Sequence, residues 1–170
     1  MSQADPQSLR VEVLGIQHDR TSFDSGVEPL DRYFEMQAGQ DARKRMAAPF
    51  VLVLGEGTVA GYYTLSSTAV SVAEWPTQIV RKLPRYPLVP ATLLGRLAVD
   101  RRLQGRGYGR YLLADALFRS VRSEIATFAV VVDAKDENAR RFYLREGFLP
   151  FLDQPLRLFR PMADIVDLFK

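Results

Sequence analysis

Cysteine is absent from the 170-residue chain, so it forms no disulfide, offers no thiolate nucleophile and builds no cysteine-ligated metal site. Histidine occurs once, at His18, which excludes a histidine cluster and reads as a loop residue rather than a catalyst. Nothing in the sequence therefore supplies a metal centre. No apolar run approaches the roughly 20 residues that span a bilayer. The opening MSQADPQSLR lacks the basic-then-apolar layout of a secretory leader. These absences point to a cytoplasmic protein without a membrane role. Lysine is scarce too: 19 of the 23 basic residues are arginine, whose planar fork suits phosphate. The arginines bunch at Arg43-Lys44-Arg45, at Arg81-Lys82 with Arg85, from Arg101 to Arg110, and at Arg140-Arg141 with Arg145. Acidic residues are interspersed, so charge alone leaves open whether these clusters meet a polyanion or form a solvated surface.

The length suits one domain, residues 1–170, with no repeat, low-complexity tract or linker to divide it. Residues 1–8 are polar and read as frayed. Alternation over 9–16 predicts a strand, and 28–40 a helix with Pro29 in its first turn and Leu30, Tyr33, Phe34 and Ala38 on one face. A short basic stretch, 41–46, follows as a candidate second helical piece. Strands over 50–54 and 59–70 form a hairpin about Gly55-Glu56-Gly57. A short helix over 77–83 leads into LPRYPLVP, which is too rich in proline for regular structure. The rest reads as a strand over 92–99, a helix over 107–123, a buried strand over 128–132, and a helix over 137–146 capped by Asp136 and stopped at Gly147. Short strands over 148–152 and 156–159 and a helix over 162–169 complete the chain. The class is α/β, a mixed central sheet flanked by helices.

The centre of this order is LLGRLAVDRRLQGRGYGRY, residues 93–111. It opens as a strand, turns at Asp100, passes through glycines and arginines, and becomes a helix. Where a strand hands over to a helix, backbone N–H groups lack intrahelical partners and the dipole presents partial positive charge. Glycine there lets a bulky anion reach the backbone, so the stretch is a phosphate cradle by physics alone. The spacing of Gly105, Gly107 and Gly109 is not the dinucleotide fingerprint, and no Lys-Ser/Thr pair follows to make a Walker loop.

Gln104-Gly105-Arg106-Gly107-Tyr108-Gly109 resembles the Gln/Arg-x-x-Gly-x-Gly/Ala loop of the GNAT family of N-acetyltransferases. DAKDENARRFYLREGF resembles that family's later segment of an asparagine, a Phe-Tyr pair and Gly-Phe. The resemblance implies a GNAT domain in which two strands splay apart to receive acetyl-CoA. Leu97, Ala98 and Val99 would offer backbone to the pantetheine arm, and the N–H of Val99 would receive the oxyanion. Gln104, Gly105, Arg106, Gly107, Tyr108, Gly109 and Arg110 would take the pyrophosphate, with the bulky Tyr108 pointing outward. Asn138 would contact the pantetheine arm. Tyr143 would stand by the thioester sulfur as general acid, leaving Phe142 as the better core residue.

Many GNAT members carry a glutamate on the strand before the loop. Residues 91–99 hold no acid here, and only Asp100 ends the strand; an acid from elsewhere in the fold, for instance Asp133, is the candidate base. A lysine amine, ordinarily near pKa 10.4, would be poorly served. An α-amino group, near 7.7–8.0, is largely reactive without a strong base. HDRTSFDSGVEPLDRYF, then Gly61-Tyr62-Tyr63-Thr64-Leu65-Ser66, then LPRYPLVPATLLGRLAVDRRLQGRGYGRYLL extend the resemblance: over about residues 10–160 the chain is similar to the GNAT-type toxins of bacterial toxin–antitoxin pairs. That resemblance implies aminoacyl-tRNA as substrate, a block on translation, and neutralisation by a ribbon-helix-helix antitoxin. Arg96, beside the thioester edge in sequence, would face an acceptor phosphate or be an ordinary strand residue. Apolar faces on the second hairpin strand and the C-terminal helix would suit a homodimer. The competing readings are a housekeeping GNAT enzyme acting on a protein N-terminus or small amine, and a non-enzymatic acetyl-CoA sensor.

Overall fold

The computed structural model describes residues 8–170. Of the stretch expected to fray, residues 1–7 lie outside the described residues, while the carbonyl of Ser8 accepts the Gly55 N–H at 3.0 Å. The strands are β1 (Leu9–Val13), β2 (Ala48–Leu54), β3 (Thr58–Ser71), β4 (Leu88–Val99), β5 (Ala129–Asp133), β6 (Leu149–Phe151) and β7 (Gln154–Pro161). The helices are α1 (Glu28–Met36), α2 (Ala38–Arg43), α3 (Thr77–Val80), α4 (Tyr108–Arg122), α5 (Glu137–Arg145) and α6 (Met162–Leu168). The sheet order is β1-β2-β3-β4-β5-β7-β6. Pairing is antiparallel for β1–β2, β2–β3, β5–β7 and β6–β7 and parallel for β4–β5. No helix among the described residues is long and apolar enough to cross a membrane.

The chain divides into two compact units. Among the described residues, one holds 8–66 and 95–116, the other 67–94 and 117–170, so β3, β4 and α4 each run through both. The first unit is built on aromatic packing. Phe34 stacks on Tyr62 with centroids 4.4 Å apart, and Phe23 meets both rings edge-on. Gly61 belongs to the same unit, and a Cβ there would lie 2.6 Å from the Ala98 carbonyl and 2.8 Å from Leu112, so only glycine lets β4 and α4 come that close. In the second unit Trp75 is the centre, 4.7 Å from Phe151 and 4.9 Å from Phe159 between ring centroids. The β-branched run Val130–Val132 is fully buried, as its continuous apolar pattern required.

Three expectations about elements need correction. The helix expected over 28–40 breaks at Gln37, whose φ is −120°, and α2 resumes at Ala38. Asp41 secures the break by accepting from the Tyr33 hydroxyl at 2.7 Å and from the Gln37 amide at 2.9 Å. The proline-rich connector is partly regular, because β4 begins at Leu88 and contains Pro90. Proline loses its donor but keeps its carbonyl: Pro90 accepts from the Phe128 N–H and Pro87 from the Val72 N–H. The last hairpin turns at Leu152-Asp153 rather than at Gln154-Pro155, with Asp153 in the left-handed region at φ +55°.

Candidate functional site

The first unit carries the glycine loop. After β4 ends at Val99, Arg101–Leu103 makes one 3-10 turn that the sequence pattern did not reveal. Asp100 makes this turn. It is fully buried and accepts from the Arg102 N–H at 3.0 Å, from the Asp24 N–H at 3.2 Å and from two nitrogens of the Arg102 guanidinium at 2.9 Å each. The hydrogen bonds from Arg102 hold its carboxyl below the usual carboxylate range. Gln104 comes next, and its side-chain amide donates to the carbonyls of Val99 at 2.9 Å and Ser25 at 3.0 Å. Gln104 thus ties the loop to the end of β4, a role the motif did not disclose.

Gly105 and Gly107 have φ of +80° and +86°, a conformation that side-chain-bearing residues enter at a cost. Gly109 has no such φ and lies inside α4, which starts at Tyr108. The 15-residue α4 therefore begins directly from the left-handed Gly107. The N–H groups of its first turn have no intrahelical carbonyl to bond. Arg106 and Arg110 are exposed beside it, whereas Tyr108, expected to point outward, is half-buried. Backbone donors, a helix N-terminus and two arginines together fit a pyrophosphate.

Along β4, Ala98 is buried and Leu97 and Val99 are half-buried. Arg96 is not an ordinary surface residue. Its guanidinium carbon lies 3.4 Å from the centroid of the Tyr33 ring, a stacked cation–π contact. Burial, reinforced by the bond to Asp41, pushes the Tyr33 phenol up to about 12. Arg96 is thus held in one place by an aromatic platform. His18 serves the neighbouring turn: it is buried, and its Nδ1 accepts the Gly15 N–H at 3.0 Å.

The second unit carries α5. The Asp136 side chain accepts the Ala139 N–H at 2.8 Å, the expected N-cap. Asn138 is exposed in the first turn. Gly147, at φ +90°, ends the helix, and the Phe148 N–H returns to the Tyr143 carbonyl at 3.1 Å. Tyr143 is the buried member of the Phe-Tyr pair, and Phe142, expected to be the core residue, is only half-buried. The Tyr143 ring packs edge-on against Phe142 at 5.1 Å and Phe148 at 5.4 Å. Burial alone raises its phenol above the ordinary value, so the hydroxyl keeps its proton at neutral pH. Asp133, the acid considered as a base, is bonded to Arg157 Nε at 3.0 Å.

The family model described as "Acetyltransferase (GNAT) family" matches residues 13–148. The chain belongs to this family. It is an acetyl-CoA-dependent acetyltransferase by that membership, and the match runs through both units. Among similar proteins is the "tRNA-acetylating toxin" of Mycobacterium tuberculosis, 39% identical over 148 residues, covering 86% of this chain and 87% of the relative. The structure of AtaT complexed with acetyl-methionyl-tRNAfMet superposes with a TM-score of 0.87 at 32% identity, covering 96% of this chain and all of that one. A tyrosine-to-phenylalanine mutant of AtaT, bound to acetyl-CoA and the C-terminus of its antitoxin AtaR, gives a TM-score of 0.80 at 28% identity, covering 95% of this chain and 98% of that one.

Proposed function

We propose that this GNAT acetyltransferase is a toxin that acetylates the α-amino group of aminoacyl-tRNA and so blocks translation. The observation that carries the reading is the missing base. Strand β4 delivers no acid, and Asp100 at its end is an anion buried and locked by Arg102, with a carboxyl too weakly basic to accept a proton near neutrality. The enzyme therefore suits an amine with a substantial neutral fraction near neutrality, and the α-amino group of charged tRNA has one where a lysine does not. The tRNA-acetylating relative and the tRNA complex of AtaT support the same substrate.

Acetyl-CoA supplies the acetyl group as a thioester. The N–H groups around Gly105, Gly107 and Tyr108, with Arg106 and Arg110, bind its pyrophosphate, while Gln104 keeps the loop fixed to Val99. Gly109, as the second residue of α4, keeps the approach to the helix open. The backbone of Leu97, Ala98 and Val99, with Asn138, aligns the pantetheine arm, and the Val99 N–H supports the oxyanion. Tyr143 donates a hydrogen bond to the departing sulfur. Tyr143 passes its proton to that sulfur as general acid, so coenzyme A leaves as the thiol, and the proton shed by the attacking amine goes to water, from which the phenol is restored. Arg96, held on Tyr33, contacts an acceptor phosphate. The reading includes one catalytic domain over 1–170, a cytoplasmic homodimer and neutralisation by an antitoxin of ribbon-helix-helix type; the AtaR-bound structure of AtaT supports an antitoxin partner.

The test is incubation with labelled acetyl-CoA and bulk charged or uncharged tRNA. Label is expected in charged tRNA alone. Labelling of peptide or small amines, with charged tRNA untouched, would leave the acetyltransferase and remove the toxin. A second expected outcome concerns the loop. Gly107→Ala places a side chain at φ +86°, so the loop relaxes away from its cradle. The KM for acetyl-CoA should rise about tenfold with little change in the KM for charged tRNA, read by initial rates.

A further inference from the structure

Arg20 and Arg43 are far apart in sequence, yet both guanidinium groups end over Gly39. A Cβ built on Gly39 would lie 3.1 Å from Arg20 Nη1 and 3.3 Å from Arg43 Nη1, so the two cations occupy the same small patch of surface on α2. Arg20 is held there by donating to the Phe34 carbonyl at 3.2 Å. Among the described residues neither guanidinium is paired with a carboxylate. The acids nearest in sequence are otherwise engaged: Asp19 accepts from Thr21 and Ser22, and Asp41 from Tyr33 and Gln37. Lys44 and Arg45, both exposed, follow directly on α2.

Two like charges converging without a counter-ion repel, and the repulsion is relieved when an anion bridges them. Two planar forks presented to one point match the tetrahedral oxygens of a phosphate. The glycine matters to this geometry, because any side chain at position 39 would enter the space between the forks. We propose that Arg20 and Arg43, over Gly39, form a phosphate-binding subsite for the backbone of the RNA substrate, with Lys44 and Arg45 extending the track. The proposal rests on charged tRNA being the substrate. The subsite positions the RNA and does not touch the reacting atoms, since phosphate contacts fix register rather than chemistry.

Three proteins test it: the wild type, Arg43→Gln and Gly39→Glu. Gly39→Glu supplies its own carboxylate to the arginine pair, and it replaces a helical glycine by a better helix former, so its Tm should hold or rise. For both variants the KM for charged tRNA should rise about tenfold at low salt. The slope of log KM against log salt between about 50 and 200 mM should fall by about one for Arg43→Gln. The KM for acetyl-CoA and the kcat at saturation should stay unchanged. An unaltered tRNA KM and salt slope overturn the proposal. A rise confined to the acetyl-CoA KM also overturns it, and assigns the pair to a coenzyme phosphate. Failure of the underlying reading shows separately, as wild-type enzyme that labels no charged tRNA, and the subsite falls with it.

Discussion

Replacing Tyr143 by phenylalanine is expected to lower kcat for acetyl transfer by about 10²-fold or more while leaving acetyl-CoA binding intact. Only the hydroxyl is removed. The ring keeps its packing against Phe142 and Phe148, so the Tm should move little and the lost rate can be read as lost chemistry. The physical basis is the direction of the phenol's shift. Burial raises it, so the hydroxyl remains a donor throughout the working range and never becomes a competing anion. The wild-type pH–rate profile should therefore show no limb from this tyrosine below about pH 10. Single-turnover rates for the two proteins over pH 6–9 decide the matter. A variant within threefold of the wild type would make Tyr143 a packing residue.

Asp100→Ala should be the most damaging single change to the fold around the loop. The carboxylate is completely buried and takes four hydrogen bonds, two of them from backbone N–H groups of Asp24 and Arg102. Deleting it strands those two donors, at about 2–4 kcal/mol, a large share of the roughly 5–15 kcal/mol that holds a domain together. Chemical denaturation measures this directly, and the KM for acetyl-CoA should rise in parallel because the 3-10 turn leading to the loop loses its cap. The acid limb follows from the same bonds. The folded carboxyl sits below its unfolded value of about 3.9, so its stabilisation is complete above that pH and fades as pH falls through the folded value. Asp100→Asn should flatten the fall in Tm below about pH 4 relative to wild type, and an identical fall in both would show that other carboxylates govern acid unfolding.

The amino-acid order by itself determined the family and most of the elements. Strand, glycine loop and helix are contiguous over about twenty residues, and their physics is local: φ freedom at Gly105 and Gly107, orphan amides at the start of α4, and an apolar face at helical spacing. The cap at Asp136 and the stop at Gly147 were legible for the same reason, since each bonds within a turn of its own helix. Tertiary structure decided what depends on partners distant in the chain. The donor that reaches Asp100 from Asp24, the platform of Tyr33 under Arg96, and the meeting of Arg20 with Arg43 join residues that no periodicity relates. It also reversed the expected burial of Phe142 and Tyr143, because adjacent helix positions point 100° apart and only the packed neighbours say which one faces inward. Asp100 shows the limit most plainly. In the sequence it is only the acid that ends a strand; in the fold, burial and Arg102 make it the anchor of the loop.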